Sequence, residues 1–327
     1  MHLIDTLRNK IGGLDDGDYM HGLRAVLRHI ETAGRHLTRG QESDDDAAFT
    51  DAIYRTNQAF EGSVKEAYRV LAGKNPEHER PYDIELYLEN NNVFRSRVMN
   101  QLAIYRKEWR NPSTHDYTLD FDESESFLAI VSVSAFACLL LDQIAEKLSF
   151  TRAQAATKAM MDPMPAAGGK RDTKVLYEQV LDHLSAFCES TTVTGSDLKK
   201  ISGVQAIGAL HGFLATVAPD LKIETEKQIA SGHRFRSDIV ISKGTETIII
   251  EVKNQLRDRL INTVVQIEDA LNAGGMTKGI IVALPDEPGE MERINAHTYI
   301  PNGEVVVLVP KGASKSLQGT LRFAPRP

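Results

Sequence analysis

Asp238, Glu251 and Lys253 are the residues of this 327-residue chain whose types and spacing point most directly to chemistry. They sit in the run Arg236-Ser-Asp-Ile-Val-Ile-Ser-Lys-Gly244-Thr245-Glu-Thr-Ile-Ile-Ile-Glu251-Val-Lys253. A two-residue turn at Gly244-Thr245, with glycine first as a type II′ turn prefers, predicts a β-hairpin. Its register sets Asp238 opposite Glu251, with Cβ atoms about 4.5–5.5 Å apart. Carboxylates so placed repel unless a cation with a taste for hard oxygen ligands lies between them, and Mg²⁺ or Mn²⁺ meets that need. Lys253, two residues on, projects from the same face as Glu251. Such a set suits metal-assisted hydrolysis: the carboxylates hold the ion, the ion acidifies its bound water and polarises a phosphate, and the lysine orients that water. Ile248, Ile249 and Ile250 suit a strand buried on both faces. The same residues also fit a surface hairpin with charged ends or a fold with an inactive site, and a one-residue slip would separate the two carboxylates.

A second set lies in the first half. Arg110-Asn-Pro-Ser-Thr-His115 follows an amphipathic stretch, and Pro112 predicts a break after Trp109 that leaves Arg110 at a helix end and His115 in or near a turn. The same Arg/His spacing recurs at Arg24 and His29 inside a helical pattern, so spacing alone does not single it out. Glu61 and Lys65 form an E-x3-K pair on an earlier helix. Arg95, Arg97, Arg106 and Lys107 offer a local basic strip for phosphates. The plainer account makes His115 a helix cap, Arg110 an interface ion pair and Glu61/Lys65 a solvated helix pair.

Both sets carry a family resemblance. Asp238, Glu251 and Lys253 resemble the acidic residue and E-x-K triplet of the PD-(D/E)xK restriction-endonuclease superfamily, and Gln266 falls where members carry a glutamine on the next helix. That family's earlier helical acid has Glu178 and Asp182 as candidates. The resemblance spans about residues 175–310 and implies Mg²⁺-dependent phosphodiester hydrolysis. The Arg110/His115 pair, with the polar Asn111 after the arginine and with Glu61/Lys65, resembles the R-x4–6-H signature of HEPN ribonucleases over about residues 20–148. That implies a homodimer through the N-terminal domain and cleavage of RNA without metal, with His115 moving the 2′-hydroxyl proton and Arg110 stabilising phosphate charge. Together the two imply a prokaryotic nuclease of defence or toxin type acting on RNA, DNA or both. Two alternatives stand beside it: a single metal-dependent nuclease whose helical domain only dimerises, and a non-catalytic nucleic-acid-binding protein.

The elements that must position these residues follow from periodicity. Apolar residues recur at helical spacing over residues 18–37 (Met20, Leu23, Val26, Leu27, Ile30) and 46–71 (Phe49, Ile53, Phe60, Val64), then over 92–109 and 122–148. Asp122 with Glu125 predicts a capping box for the last. Residues 1–150 read as an all-α helical bundle. The Ala, Met, Pro and Gly content of 151–173 predicts a linker. Beyond it, helices at 174–189, 203–217 and 261–272 alternate with strands at 223–229, 235–242, 246–253, 278–284 and 304–309, giving an α/β domain with a mixed sheet over 174–327.

Composition narrows the class. Apolar residues make up 42% and charged residues 25% of the chain, an ordinary globular balance with material for two cores. Cys138 and Cys188 lack the spacing of a zinc cluster or a disulfide framework. The first ten residues mix Asp5, Arg8 and Lys10 with apolar positions, unlike a secretory leader, and the apolar run from Phe127 to Leu141 is shorter than a span of about 18 residues. A cytoplasmic protein with no membrane contact is expected. The net charge of −7 weighs against broad capture of nucleic acid, so any such site must be a focused cleft, a surface completed by a second copy, or one supplied by a partner protein.

Overall fold

In the computed structural model, residues 3–116, 118–161, 175–194, 201–230, 235–254 and 260–314 are described. The chain divides into two compact units, Met1–Lys147 and Leu148–Pro327.

The first unit is helical throughout. Its elements are α1 (Leu3–Gly12), α2 (Tyr19–Ser43), α3 (Ala47–Leu71), α4 (Pro81–Asn90), α5 (Ser96–Tyr105), a π-helical turn (Arg106–Arg110), α6 (Asn111–His115) and the first part of α7 (Glu123–Met161). The expected helices at 18–37 and 46–71 are α2 and α3; α1 and α4 are additions to the expected set. Burial drives the arrangement: Ile30, Ile53, Phe60, Leu88, Leu102, Phe136 and Leu140 have at most 1% of their surface exposed. Phe60 of α3 stacks on Tyr105 of α5 at 4.7 Å and leans on Phe136 of α7 at 5.3 Å, so one aromatic ladder ties three helices. The capping box at the start of α7 is formed, with Glu125 N–H donating to Asp122 Oδ1 at 2.8 Å and Asp122 N–H to Glu125 Oε2 at 3.0 Å.

Two expectations are corrected here. Pro112 does not break the chain after Trp109. The helix passes through it and ends at His115, because the turn before it widens: Asn111 N–H donates to Arg106 O, five residues back. The looser turn relieves the clash that a proline ring makes with the carbonyl four residues earlier. The Ser113 hydroxyl then donates to Trp109 O and the Thr114 hydroxyl to Arg110 O, both at 2.7 Å, so these carbonyls stay satisfied. Second, residues 151–161, expected to open a linker, are the last turns of α7, with Ala153 and Thr157 buried. The rest of that expected linker, 162–173, lies outside the described residues. α7 is also long and apolar enough by composition to cross a membrane, with mean hydropathy 2.1 over its best window, 44% of which is buried. Its inward side supplies Val133, Phe136, Leu140 and Ile144 to the core.

The second unit is the expected α/β arrangement. Beyond the end of α7 it contains α8 (Leu176–Glu189), the short α9 (Thr191–Thr194), α10 (Gly203–Val217), β1 (Lys222–Gln228), β2 (Arg236–Lys243), β3 (Glu246–Lys253), α11 (Leu260–Gly274), β4 (Lys278–Ala283), β5 (Met291–Ala296) and β6 (Glu304–Pro310). The strands form one six-stranded mixed sheet in the order β1-β2-β3-β4-β6-β5, in which β5 is an addition to the expected strands. β1, β2 and β3 run antiparallel, β3-β4 and β4-β6 parallel, and β5 pairs antiparallel with β6. One face of the sheet (Ile239, Ile241, Ile248, Ile250, Val252) packs under α8 and α10, and the other (Ile249, Ile281, Val305, Val307) under α11. Strands buried on both faces explain the unbroken Ile/Val runs.

Candidate metal site and Arg/His site

The β2–β3 hairpin forms in the expected register. Lys243 pairs with Glu246 and the ladder continues to Ile239 opposite Ile250. Gly244 has φ +60° and Thr245 is not in the left-handed region, as a type II′ turn requires. One step beyond the last ladder pair, side chains replace the backbone. Asp238 N–H donates to Glu251 Oε1 at 3.1 Å, and Val252 N–H donates to Asp238 Oδ2 at 2.8 Å. The two carboxylates thus brace the point where the strands part.

Lys253 completes the group, with Nζ 2.7 Å from Glu251 Oε2 and 3.5 Å from Asp238 Oδ2. By strand alternation Glu251 and Lys253 share the α11 face with Ile249. Glu251 is buried, with 5% of its side chain exposed, whereas Asp238 and Lys253 reach solvent at 22% and 32%. Burial pushes the Glu251 carboxyl up to about 7, the Asp238 charge adds to this, and Lys253 opposes it. Lys253 is pulled down by burial, but the two acids outweigh that and raise it overall, so it stays an ammonium.

A third acid lies at the same level. β1 pairs with β2 on both sides of Glu226 (Thr225 with Ile239, Lys227 with Ser237), yet the backbone ladder skips Glu226 and Asp238, and Glu226 has φ +47°. Past this kink Ile229 and Phe235 pack into the α11-side core. Sequence reasoning passes over Glu226, since β1 alternates without any sign of a kink. Among the described residues no group of three or more His, Cys, Asp or Glu converges as a metal-binding set; the site is a carboxylate pair with a lysine.

The remaining candidates are not gathered there. Gln266 is exposed on α11, with no hydrogen bond to the three residues among those described. Glu178 and Asp182 of α8 clamp Arg293 of β5, each at 2.6 Å. α8 covers the opposite sheet face, so neither acid can join Asp238 and Glu251.

In the helical unit, Arg110 closes the π-helical turn and points back at α3, with Nη2 3.8 Å from Glu61 Oε1 and Nη1 3.2 Å from Asn111 Oδ1. Its Nε is buried without a hydrogen-bond partner. Arg110, Asn111 and Glu61 therefore meet, whereas Lys65 makes no ion pair with Glu61 among the described residues. His115 is exposed at the end of α6. The expected basic strip is largely neutralised: Arg95 pairs with Glu146, Arg106 with Glu85 and Glu89, and Lys107 with Glu108. Arg97 is exposed.

Compared with known proteins, the chain matches no family model, no curated protein and no solved structure.

Proposed function

We propose that this chain is a cytoplasmic nuclease with a metal-dependent phosphodiesterase site in its α/β unit. The observation that carries the reading is the convergence of Asp238, Glu251 and Lys253 at the parting of β2 and β3. The donor set fits a hard divalent cation. Asp238 Oδ1 has no hydrogen-bond partner among the described residues, and Asp238 sits on the solvent side of buried Glu251. Asp238 and Glu251 would hold Mg²⁺ or Mn²⁺, leaving further positions for water and phosphate oxygens as Mg²⁺ prefers. Once bound, the ion supplies a water of lowered pKa and polarises the phosphate. Lys253 stays cationic beside both carboxylates, where its ammonium can orient that water and offset phosphate charge. Gln266 and Glu226 lie outside the inner set.

A second reading joins this one. The seating of Arg110 beside Glu61 and Asn111, with His115 exposed one turn further on, supports HEPN-like, metal-independent RNA cleavage in the helical unit. His115 would move a proton to or from the 2′-hydroxyl, and Arg110 would release Glu61 to meet the phosphate. An Arg/His pair offers few groups for a whole site, so a homodimer through the N-terminal unit belongs to this reading. A role in defence against phage or in toxicity would follow from two nucleolytic sites in one chain.

The test assays wild type, Glu251→Ala and His115→Ala on labelled RNA, DNA and 2′-deoxy-substituted RNA, each with Mg²⁺ and with EDTA. Chelator-sensitive cleavage lost only in Glu251→Ala supports the α/β site. EDTA-resistant RNA cleavage that leaves a 2′,3′-cyclic phosphate and is lost only in His115→Ala supports the helical site. If all cleavage needs metal and survives His115→Ala, the helical unit serves dimerisation alone. No cleavage of any substrate leaves a binding protein.

A further inference from the structure

One half-buried side chain grips the π-helical turn from both ends. Asn57 of α3 donates from Nδ2 to Ser113 Oγ at 2.7 Å, and its Oδ1 accepts from the Tyr105 hydroxyl at 3.0 Å. Tyr105 is the residue immediately before the turn, and Ser113 follows it in α6. The Tyr105 hydroxyl also lies 2.7 Å from Thr56 Oγ1, and Ser113 Oγ donates to Trp109 O within the turn. Tyr105 has no exposed surface, Thr56 none and Ser113 6%. A polar network in such a place costs desolvation of its buried members, Tyr105, Thr56 and Ser113, and it is tolerated when each is satisfied and the network fixes one arrangement. Here the arrangement fixed is the one that ends on Arg110. One helical turn along α3 from Asn57, Glu61 faces the Arg110 guanidinium. Arg110 itself holds on weakly: its contact with Glu61 is 3.8 Å long and its Nε is unbonded.

We infer that Asn57 is a positioning residue for Arg110, acting through the widened turn rather than by touching substrate. An α-helical turn at 106–110 would rotate Arg110 about the helix axis relative to α3. Asn57 opposes that by binding Tyr105 on one side and Ser113 on the other. The catalytic half of this inference rests on the proposed RNA cleavage at Arg110 and His115; the geometric half does not.

The experiment uses the full-length protein and two readouts. Asn57→Ala removes both arms of the clamp, and Ser113→Ala removes one should the first variant fold poorly. Ser126→Ala serves as the control, because it deletes a buried hydroxyl of the same unit that is bonded to Phe49 O and makes no hydrogen bond to the turn. The first readout is the Arg110 Nε–H resonance in ¹⁵N-correlated NMR spectra, assigned by its loss in Arg110→Lys. It should shift or broaden in Asn57→Ala and Ser113→Ala and stay in place in Ser126→Ala. An unmoved resonance in both turn variants overturns the inference. The second is EDTA-resistant RNA cleavage at a temperature where every variant is folded. A displacement of about 1 Å should lower kcat by roughly tenfold to a hundredfold with KM little changed. Equal losses in Ser126→Ala would reduce Asn57 to a structural role and overturn the inference. If wild type shows no metal-independent cleavage, the function reading fails, and with it the catalytic half, whatever the NMR result.

Discussion

Replacing Glu251 by glutamine should change how the stability of the metal-free α/β unit depends on pH. In the folded unit burial holds the Glu251 carboxyl at about 7, against an ordinary value of 4.5 in the unfolded chain. Between these values the folded state keeps a proton that the unfolded state has released, so stability must fall as pH rises through the window. The contribution is complete below pH 4.5 and lost above about 7. With about 1.4 kcal/mol for each unit of pKa difference, its full size is on the order of 3 kcal/mol. The amide of Glu251→Gln does not titrate and lacks this component, although it satisfies Asp238 N–H and Lys253 less well. That offset does not vary with pH, so the difference between wild type and variant is the quantity to read. Urea unfolding of both proteins in EDTA from about pH 4.5 to 8.5, followed by circular dichroism, should show the wild type losing roughly 2–3 kcal/mol relative to Glu251→Gln. Parallel stability curves would mean that the carboxyl ionises as freely in the fold as outside it, and that burial does not raise its pKa.

Gly212→Ala should destabilise the α/β unit by about 1–3 kcal/mol in calorimetric melting, because the new Cβ would lie 2.3 Å from the backbone oxygen of Phe150, which cannot swing aside. Arg293→Ala, which leaves Glu178 and Asp182 facing each other, should lower stability by less than about 1 kcal/mol and leave cation affinity unchanged by titration. Asp122→Ala should cost about 1 kcal/mol in denaturant unfolding through loss of the capping box at α7.

The hairpin is legible because three signals agree in the sequence: a glycine where the turn needs positive φ, β-branched runs on both sides, and two acids whose opposition follows from the turn alone. Gln266 shows the limit of position in sequence, since the rotation of α11 about its axis is set by packing of Leu260, Val264, Ile267 and Leu271. Glu178 and Asp182 are open to a different partner, Arg293, which stands on an edge strand that has no β-branched alternation to reveal it. The break expected at Pro112 follows the usual consequence of a missing N–H and a ring clash; a widened turn absorbs both, and no local signal distinguishes that outcome. α7 outruns its expected end because Ala153, Ala155, Ala156 and Ala159 favour helix as much as they favour a linker. The acidic charge balance already disfavours a basic surface, and the pairing of Arg95, Arg106 and Lys107 with acids gives it a structural form.

Asp238 and Glu251 are proposed to form one divalent-cation site. Isothermal titration of Mn²⁺ into the purified protein at about pH 8 tests it without reference to any substrate. Saturable binding of one ion per chain is expected, lost in Asp238→Ala and in Glu251→Ala, retained in Lys253→Ala and Arg293→Ala, and weakened as pH falls below about 7, where Glu251 takes up its proton. Binding of unchanged affinity after loss of either carboxylate, or no binding by the wild type, would contradict it.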